Sequence, residues 1–180
     1  GWEKICKDTP PLQGNRERGG DELATLIYTS GTTGMPKGVM HSFSNFAWAL
    51  DAGIRRLPMG ADDRMLSYLP LAHVVERVLV EHGWLRTGMQ VFCADSLDTF
   101  AADLQRARPT IFFSVPRLWV KFQQGIHHKM PPAKLNRLLS IPLIGGLVRN
   151  KVQKALGLNH CRIAAGGAAP MPLSLLQWYS

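Results

Sequence analysis

The sequence predicts an α/β fold, a mainly parallel sheet with helices on both faces. Three observations carry that expectation. Short apolar runs alternate with helix-length amphipathic stretches from Leu23 onward, the order that builds a parallel sheet. The runs at 110–114 and 161–165 read as buried strands, as expected of strands covered on both sides. The residues of chemical interest cluster in loops after Tyr28, Ser67, Ser114 and Ala165, and open α/β sheets bind ligands at their strands' carboxyl ends. The chain's 180 residues, 46% of them apolar, suffice for one folded core.

The elements follow in order. Residues 1–20 read as a linker or extended leading segment, with Pro10-Pro11 and Gly19-Gly20 as breakers. Residues 23–28 form a strand, and Val39-Met40 extend a short one after the loop. His41 or Ser42 caps a helix to about Arg55, with Phe43, Phe46, Ala47, Leu50 and Ile54 on one face. A turn at 58–63 precedes a short strand at 64–67, a loop to Ala72 and a helix over 74–85. A strand at 90–93 leads to a helix over 97–108, which stops before Pro109. After the strand at 110–114, a helix runs over 117–130 until Pro131-Pro132 breaks it. Helical stretches at 135–140 and 143–156, the strand at 161–165 and a last helix from Leu173 complete the chain.

Composition narrows the class. No run of eighteen uncharged apolar residues appears, so no span of a membrane is expected. Residues 1–20 hold no secretory apolar region. Cys6, Cys93 and Cys161 have neither zinc spacing nor a disulfide framework, which suggests a reducing, cytoplasmic setting. The six histidines lack metal-ligand spacing. Charge is uneven: −3 up to Asp103 and +11 beyond it, +8 in all. The basic half suits ATP, coenzyme A or an anionic lipid surface; alternatively, balancing acids belong to chain outside this stretch. No aromatic-basic interleaving points to nucleic acid.

Residues 28–38 read Tyr-Thr-Ser-Gly-Thr-Thr-Gly-Met-Pro-Lys-Gly. Glycines let backbone N–H groups close around an anion. Thr29, Ser30, Thr32 and Thr33 add hydroxyl donors, and Lys37 adds a mobile positive charge. The spacing is neither that of the Walker loop nor that of a dinucleotide fingerprint. It is the chemistry of a polyphosphate-holding loop, set against an ordinary strand-to-helix hairpin.

Three further blocks follow. Residues 69–77 read Leu-Pro-Leu-Ala-His-Val-Val-Glu-Arg, placing His73 near a helix start with Glu76 and Arg77 one turn on. His73 either donates to a substrate carboxylate or caps the helix; Glu76 and Arg77 read as a structural ion pair. Residues 109–119 form a buried strand that breaks at Pro116 into a helix carrying Trp119 in its first turn, the usual place of a packing aromatic. Residues 164–170, Ala-Ala-Gly-Gly-Ala-Ala-Pro, are poor in side chains. They can let a flat ring lie on the peptide plane or simply make a tight turn.

The 28–38 block resembles the signature of the adenylate-forming superfamily, which includes acyl-CoA synthetases, luciferases and adenylation domains. The other three blocks are similar to segments of its long-chain acyl-CoA synthetases. The resemblance covers the chain from about Asp21 to its end and implies part of the large N-terminal AMP-binding domain over 21–180. It implies an ATP-dependent, Mg²⁺-assisted ligase that activates a long-chain fatty acid as acyl-adenylate and passes it to coenzyme A. On that resemblance Thr29, Ser30, Gly31, Thr32, Thr33, Gly34 and Lys37 hold the phosphates, Lys37 neutralises leaving pyrophosphate, and Thr29 also touches Mg²⁺. His73 orients the substrate or the acyl-adenylate, Trp119 gates an acyl tunnel, and Gly166, Gly167 and Ala168 stack on adenine. The family's next motif, its hinge and its C-terminal lid domain lie beyond Ser180, so the expectation is that this stretch alone does not complete the reaction. A carrier-protein acceptor, or a non-catalytic nucleotide-binding or scaffold role, remains an alternative. The basic helices between Arg117 and Lys154 read as a solvated face or as a peripheral membrane contact.

Overall fold

The computed structural model describes every residue except Leu12, Asn15, Arg16, 31–33 and Ser180, and leaves the side chain of Trp2 undescribed. The chain forms two compact units, Gly1–Trp48 and Ala49–Ser180.

The first unit opens with a helix, α1 (Trp2–Asp8), where the sequence led us to expect a linker or extended segment. Glu3 in its first turn and Lys7 in its last suit the helix dipole, and Pro10-Pro11 follow its end. Strands β1 (Leu23–Thr29) and β2 (Lys37–Ser42) pair antiparallel, with Thr29 opposite Lys37 and Tyr28 opposite Gly38. The loop between them is therefore a hairpin end. Helix α2 (Phe43–Arg56) starts directly after. The Asn45 amide donates to Ser42 Oγ at 3.3 Å, and the Ser42 amide donates to Asn45 Oδ1 at 3.1 Å. Ser42 thus caps the helix reciprocally with Asn45.

The second unit holds two parallel strand pairs, β3 (Arg64–Ser67) with β4 (Gln90–Cys93), and β5 (Ile111–Ser114) with β6 (Ile163–Gly166). The parallel pairing predicted from alternating elements holds here; the β1–β2 hairpin is the antiparallel exception. The Thr110 amide donates to Arg64 O at 3.0 Å, and the Arg64 amide donates to Thr110 Oγ1 at 2.9 Å, linking β3 to β5. Asp63, just before β3, is buried. It accepts from Thr110 Oγ1 at 2.7 Å, from the Gly60 amide at 2.9 Å and from Arg162 at 2.6 Å. Burial would raise its pKa, but these hydrogen bonds win and hold the carboxyl below the ordinary carboxylate value. The leading ends of β3, β5 and β6 are stapled in this way.

Around the strands lie α3 (Gly83–Thr87), α4 (Phe100–Ala107), α5 (Pro116–Lys129), α6 (Pro132–Leu139), α7 (Ile144–Leu156) and α8 (Leu173–Tyr179). Pro116 and Pro132 open α5 and α6 in the first turn, where the backbone amide has no intrahelical acceptor to lose. Leu66, Leu104, Phe112, Trp119, Leu158 and Leu175 share one core cluster. The helix expected over 74–85 is present, but most of it, Glu76–His82, is π-helical before it runs into the short α3. Its wider turn is fixed partly by His82 Nδ1, which lies 2.6 Å from Arg77 O, five residues back. Among the described residues no helix is long and apolar enough to cross a membrane.

Candidate active site

Thr29 ends β1 and Lys37 begins β2, so their pairing brings a hydroxyl and a cation to the open end of one hairpin. Thr29, Ser30 and Lys37 are all exposed. No described residue accepts from or donates to their side chains, and no acid pairs with Lys37. Gly34 takes φ of +79°, a left-handed turn that suits glycine, and a Cβ there would meet open space. Gly31, Thr32 and Thr33 lie outside the described residues. The described part of the hairpin thus offers uncommitted donors to an anion, as a phosphate-binding loop must. For Mg²⁺ its described side chains offer only hydroxyl oxygens, those of Thr29 and Ser30. No cluster of three or more acids, histidines or cysteines exists among the described residues, so an ion held here would depend on phosphate oxygens and water for its other ligands.

In the second unit the carboxyl ends of β3, β5 and β6 meet. Tyr68 follows β3, and its hydroxyl lies 3.0 Å from Phe113 O and 3.0 Å from Ser114 Oγ. The Gly167 amide donates to Ser114 O at 3.2 Å. Three of the four loops singled out in the sequence are therefore joined by hydrogen bonds; the fourth belongs to the hairpin unit.

His73 sits in the loop returning from β3, exposed. Its amide donates to Pro70 O at 2.8 Å, and its Nδ1 accepts from the Val75 amide at 3.2 Å. The ring is thus oriented by its own helix start. In the neutral form, with Nδ1 accepting, the remaining N–H is on Nε2. That geometry serves the capping role and still leaves one donor for a substrate.

The Glu76–Arg77 ion pair expected from sequence does not form. Glu76 is 2% exposed and accepts from Ser67 Oγ at the end of β3. Arg77 turns the other way, to Glu81 at 2.8 Å and Leu71 O at 3.0 Å. Adjacent helical residues point in different directions, whereas residues four apart face each other, so Arg77 finds Glu81. Burial raises the Glu76 pKa despite the hydrogen bonds from Ser67 and the backbone of Leu69 and Tyr68.

Trp119 lies in the first turn of α5 and is 4% exposed. Its ring meets Phe112, Phe122 and Tyr179 edge to face at 5.4, 6.0 and 5.0 Å, and its carbonyl accepts from the Tyr179 hydroxyl at 2.8 Å. Packing alone would explain these contacts, but Trp119 also borders a cavity of about 330 Å³. The walls are largely apolar and come from β6 and α5–α8, including Leu135, Leu139, Val152, Leu156 and Met171. The family resemblance implied a tunnel at Trp119, but residue spacing alone gave this cavity no signature. The spacing of Val152 and Leu156, one helical turn apart, marks an apolar face of α7 but not what that face encloses.

Gly166 ends β6 beside the same cavity, followed by Gly167 and by Ala168 at φ of +67°. A Cβ on Gly166 would lie 2.2 Å from Met171 Cε, and one on Gly167 2.6 Å from Phe113 Cζ. The Phe113 ring demands a glycine at 167, whereas only the flexible end of Met171 stands against a side chain at 166; this supports the tight-turn role and leaves a backbone surface clear of side chains.

A family model described as AMP-binding enzyme matches residues 3–180. The chain is 33% identical to the long-chain-fatty-acid–CoA ligase ACSBG2 of Rattus norvegicus over 88% of its own length and 29% of that protein. It resembles the A-PCP didomain of carboxylic acid reductase from Segniliparus rugosus, solved in complex with AMP, at 30% identity and a TM-score of 0.66, covering 94% of this chain and 24% of that one. It also resembles the N-terminal domain of FACL13 from Mycobacterium tuberculosis, solved with an inhibitor bound, at 25% identity and a TM-score of 0.66, covering 98% of this chain and 38% of that one. The chain therefore spans between about a quarter and two fifths of the length of these relatives.

Proposed function

Because the chain belongs to the AMP-binding enzyme family, we propose that it forms the nucleotide- and acyl-binding part of a ligase that activates a long-chain fatty acid with ATP and transfers the acyl group to coenzyme A. The observation that carries this reading is the hairpin that sets Thr29 against Lys37, with neither side chain committed to a partner among the described residues.

In the proposed reaction a carboxylate oxygen of the fatty acid attacks the α-phosphorus of ATP, and pyrophosphate departs. Phosphoryl transfer needs positioning and charge neutralisation more than covalent help. Thr29, Ser30 and Gly34 hold the β- and γ-phosphates, together with Gly31, Thr32 and Thr33. Lys37 offsets the charge that builds on pyrophosphate. Thr29 would hold Mg²⁺ in part, and the ion would supply positive charge to the phosphates. His73 orients the carboxylate through Nε2, and the Gly166-Gly167-Ala168 backbone stacks on adenine. The thiol of coenzyme A then attacks the acyl carbonyl, and AMP leaves. The cavity beside Trp119 is of the size and polarity to take an acyl chain, and the indole in its wall gates it.

The fatty-acid–CoA ligase similar to this chain favours coenzyme A as acceptor. The reductase neighbour, solved with its PCP, favours a carrier protein as the alternative. Peripheral attachment to lipid is part of the same proposal. Leu143 is 90% exposed and Leu147 71% exposed on the α6–α7 turn, in the half of the chain that holds no acid beyond Asp103.

Titration calorimetry with ATP and with AMP tests the reading. The hairpin holds the two outer phosphates, so ATP should bind at least tenfold tighter than AMP, on the scale of one or two charge-assisted hydrogen bonds. Equal affinities would contradict it.

A further inference from the structure

The two strand pairs of the second unit share no backbone ladder. Their leading ends are joined through Thr110, Asp63 and Arg162. Their carboxyl ends, where the proposed site lies, are joined differently. Among the described residues, the hydrogen bonds seen between the pairs at that end come from one side chain, Tyr68. Its hydroxyl lies 3.0 Å from Phe113 O and 3.0 Å from Ser114 Oγ, both on β5. It donates its one proton to the carbonyl, and the Ser114 hydroxyl can turn to donate back. Phe100 meets the Tyr68 ring edge to face at 5.1 Å, and Phe112 stacks on it at 6.1 Å. Burial pushes the phenol above its ordinary pKa, so it stays a neutral donor.

Each side of this bridge leads to a part of the proposed site. On the β5 side, Ser114 O accepts from the Gly167 amide at 3.2 Å, inside the turn proposed to meet adenine. On the β3 side, the buried Glu76 carboxylate accepts from the Tyr68 and Leu69 amides and from Ser67 Oγ. The Glu76 amide in turn donates to His73 O at 3.1 Å. Hydrogen-bonded residues therefore run from Gly167 to His73 and cross between the strand pairs at Tyr68. The crossing matters because the two reactants are placed by different pairs. A carboxylate oxygen attacks the α-phosphorus only when the two are held about 3–3.5 Å apart. Apolar packing is non-directional, whereas a hydrogen bond fixes direction as well as distance.

We propose that Tyr68 is a positioning residue: its hydroxyl sets the distance between the His73 loop and the turn at 166–168, so that one ligand can engage both at once. This rests on the reading of those two segments as carboxylate- and adenine-binding. Tyr68 acts through the strands that carry them and need touch neither reactant.

The test uses a ligand that spans both segments, decanoyl-sulfamoyl adenosine, a stable mimic of an acyl-adenylate, beside its two halves, AMP and decanoate. Titration calorimetry gives the dissociation constants for the 180-residue chain and for Tyr68→Phe, which keeps the ring and loses the hydroxyl. The wild-type chain should bind the spanning ligand more tightly than either half. Tyr68→Phe should weaken the spanning ligand about three- to tenfold, the scale of one neutral hydrogen bond, and leave both halves unchanged. Ser114→Ala, which still leaves Phe113 O to the hydroxyl, should lose less. An equal loss for all three ligands, or a loss for none, would mean that Tyr68 only packs, while the two segments keep their roles. Should circular dichroism show Tyr68→Phe unfolded, Ser114→Ala decides: a loss confined to the spanning ligand supports the positioning role, and any other pattern overturns it. If the wild-type chain binds the spanning ligand no more tightly than its halves, the reading of the two segments fails first and this inference with it.

Discussion

Among the described residues, Glu76 is the buried acid whose burial outweighs its hydrogen bonds, so its carboxyl titrates above the ordinary value of 4.5. Such a group holds its proton more tightly when folded than when unfolded. Its cost to stability is absent below the unfolded value, grows as pH rises toward the folded one, and is constant above that. Glu76→Gln keeps an acceptor for Ser67 and removes the titration. The melting temperature of this variant relative to wild type should therefore rise as pH climbs above the unfolded carboxylate value, and then level off. A difference independent of pH would show that the carboxyl is not strained by burial. The sequence displayed Glu76 and Arg77 as neighbouring opposite charges and hid their partners. Ser67 is nine residues from Glu76, and which way each side chain turns depends on β3, not on local spacing. His73 was more legible. Its capping bond to Val75 is local, and a histidine near a helix start announces such a bond.

At the scale of elements, the turn after β6 sets a discriminating expectation. A Cβ on Gly166 would meet the end of a flexible methionine, Met171, whereas one on Gly167 would meet the Phe113 ring carried by β5. A thioether chain yields easily and a packed ring does not. Gly167→Ala should cost about 1–3 kcal/mol in urea unfolding, and Gly166→Ala clearly less. The reverse order would mean that the ring moves more freely than the methionine. Elements fixed by local signals were readable in advance. Pro116 opens α5, Ser42 caps α2, and β5 is an uninterrupted apolar run. The antiparallel pairing of β1 with β2 was not seen, because the loop of 28–38 reads equally as a strand-to-helix connection. A cavity at Trp119 was expected from the family resemblance alone, and residue spacing did not show it. Helical periodicity shows that α6 and α7 have apolar faces, and only the packing of α5–α8 with β6 decides that they enclose space.

At the scale of the molecule, charge and exposure point in one direction. The eleven Lys/Arg residues beyond Asp103 face no acid in the same stretch, and Ile141, Leu143, Ile144 and Leu147 are exposed around the α6–α7 turn. Apolar tips flanked by cations suit an anionic bilayer. The chain should sediment with vesicles containing phosphatidylserine, less so as salt rises, and Leu143→Asp with Leu147→Asp should abolish this. Sedimentation insensitive to both changes would place the contact elsewhere. The central claim concerns the other unit, where the β1–β2 hairpin holds the triphosphate of ATP with Lys37 as its cation. Its most direct measurement is the equilibrium dissociation constant of ATP for the wild-type chain and for Lys37→Ala. A loss of about 10- to 100-fold is expected, the scale of one charge-assisted bond; unchanged affinity, or no ATP binding by the wild-type chain, would contradict the account.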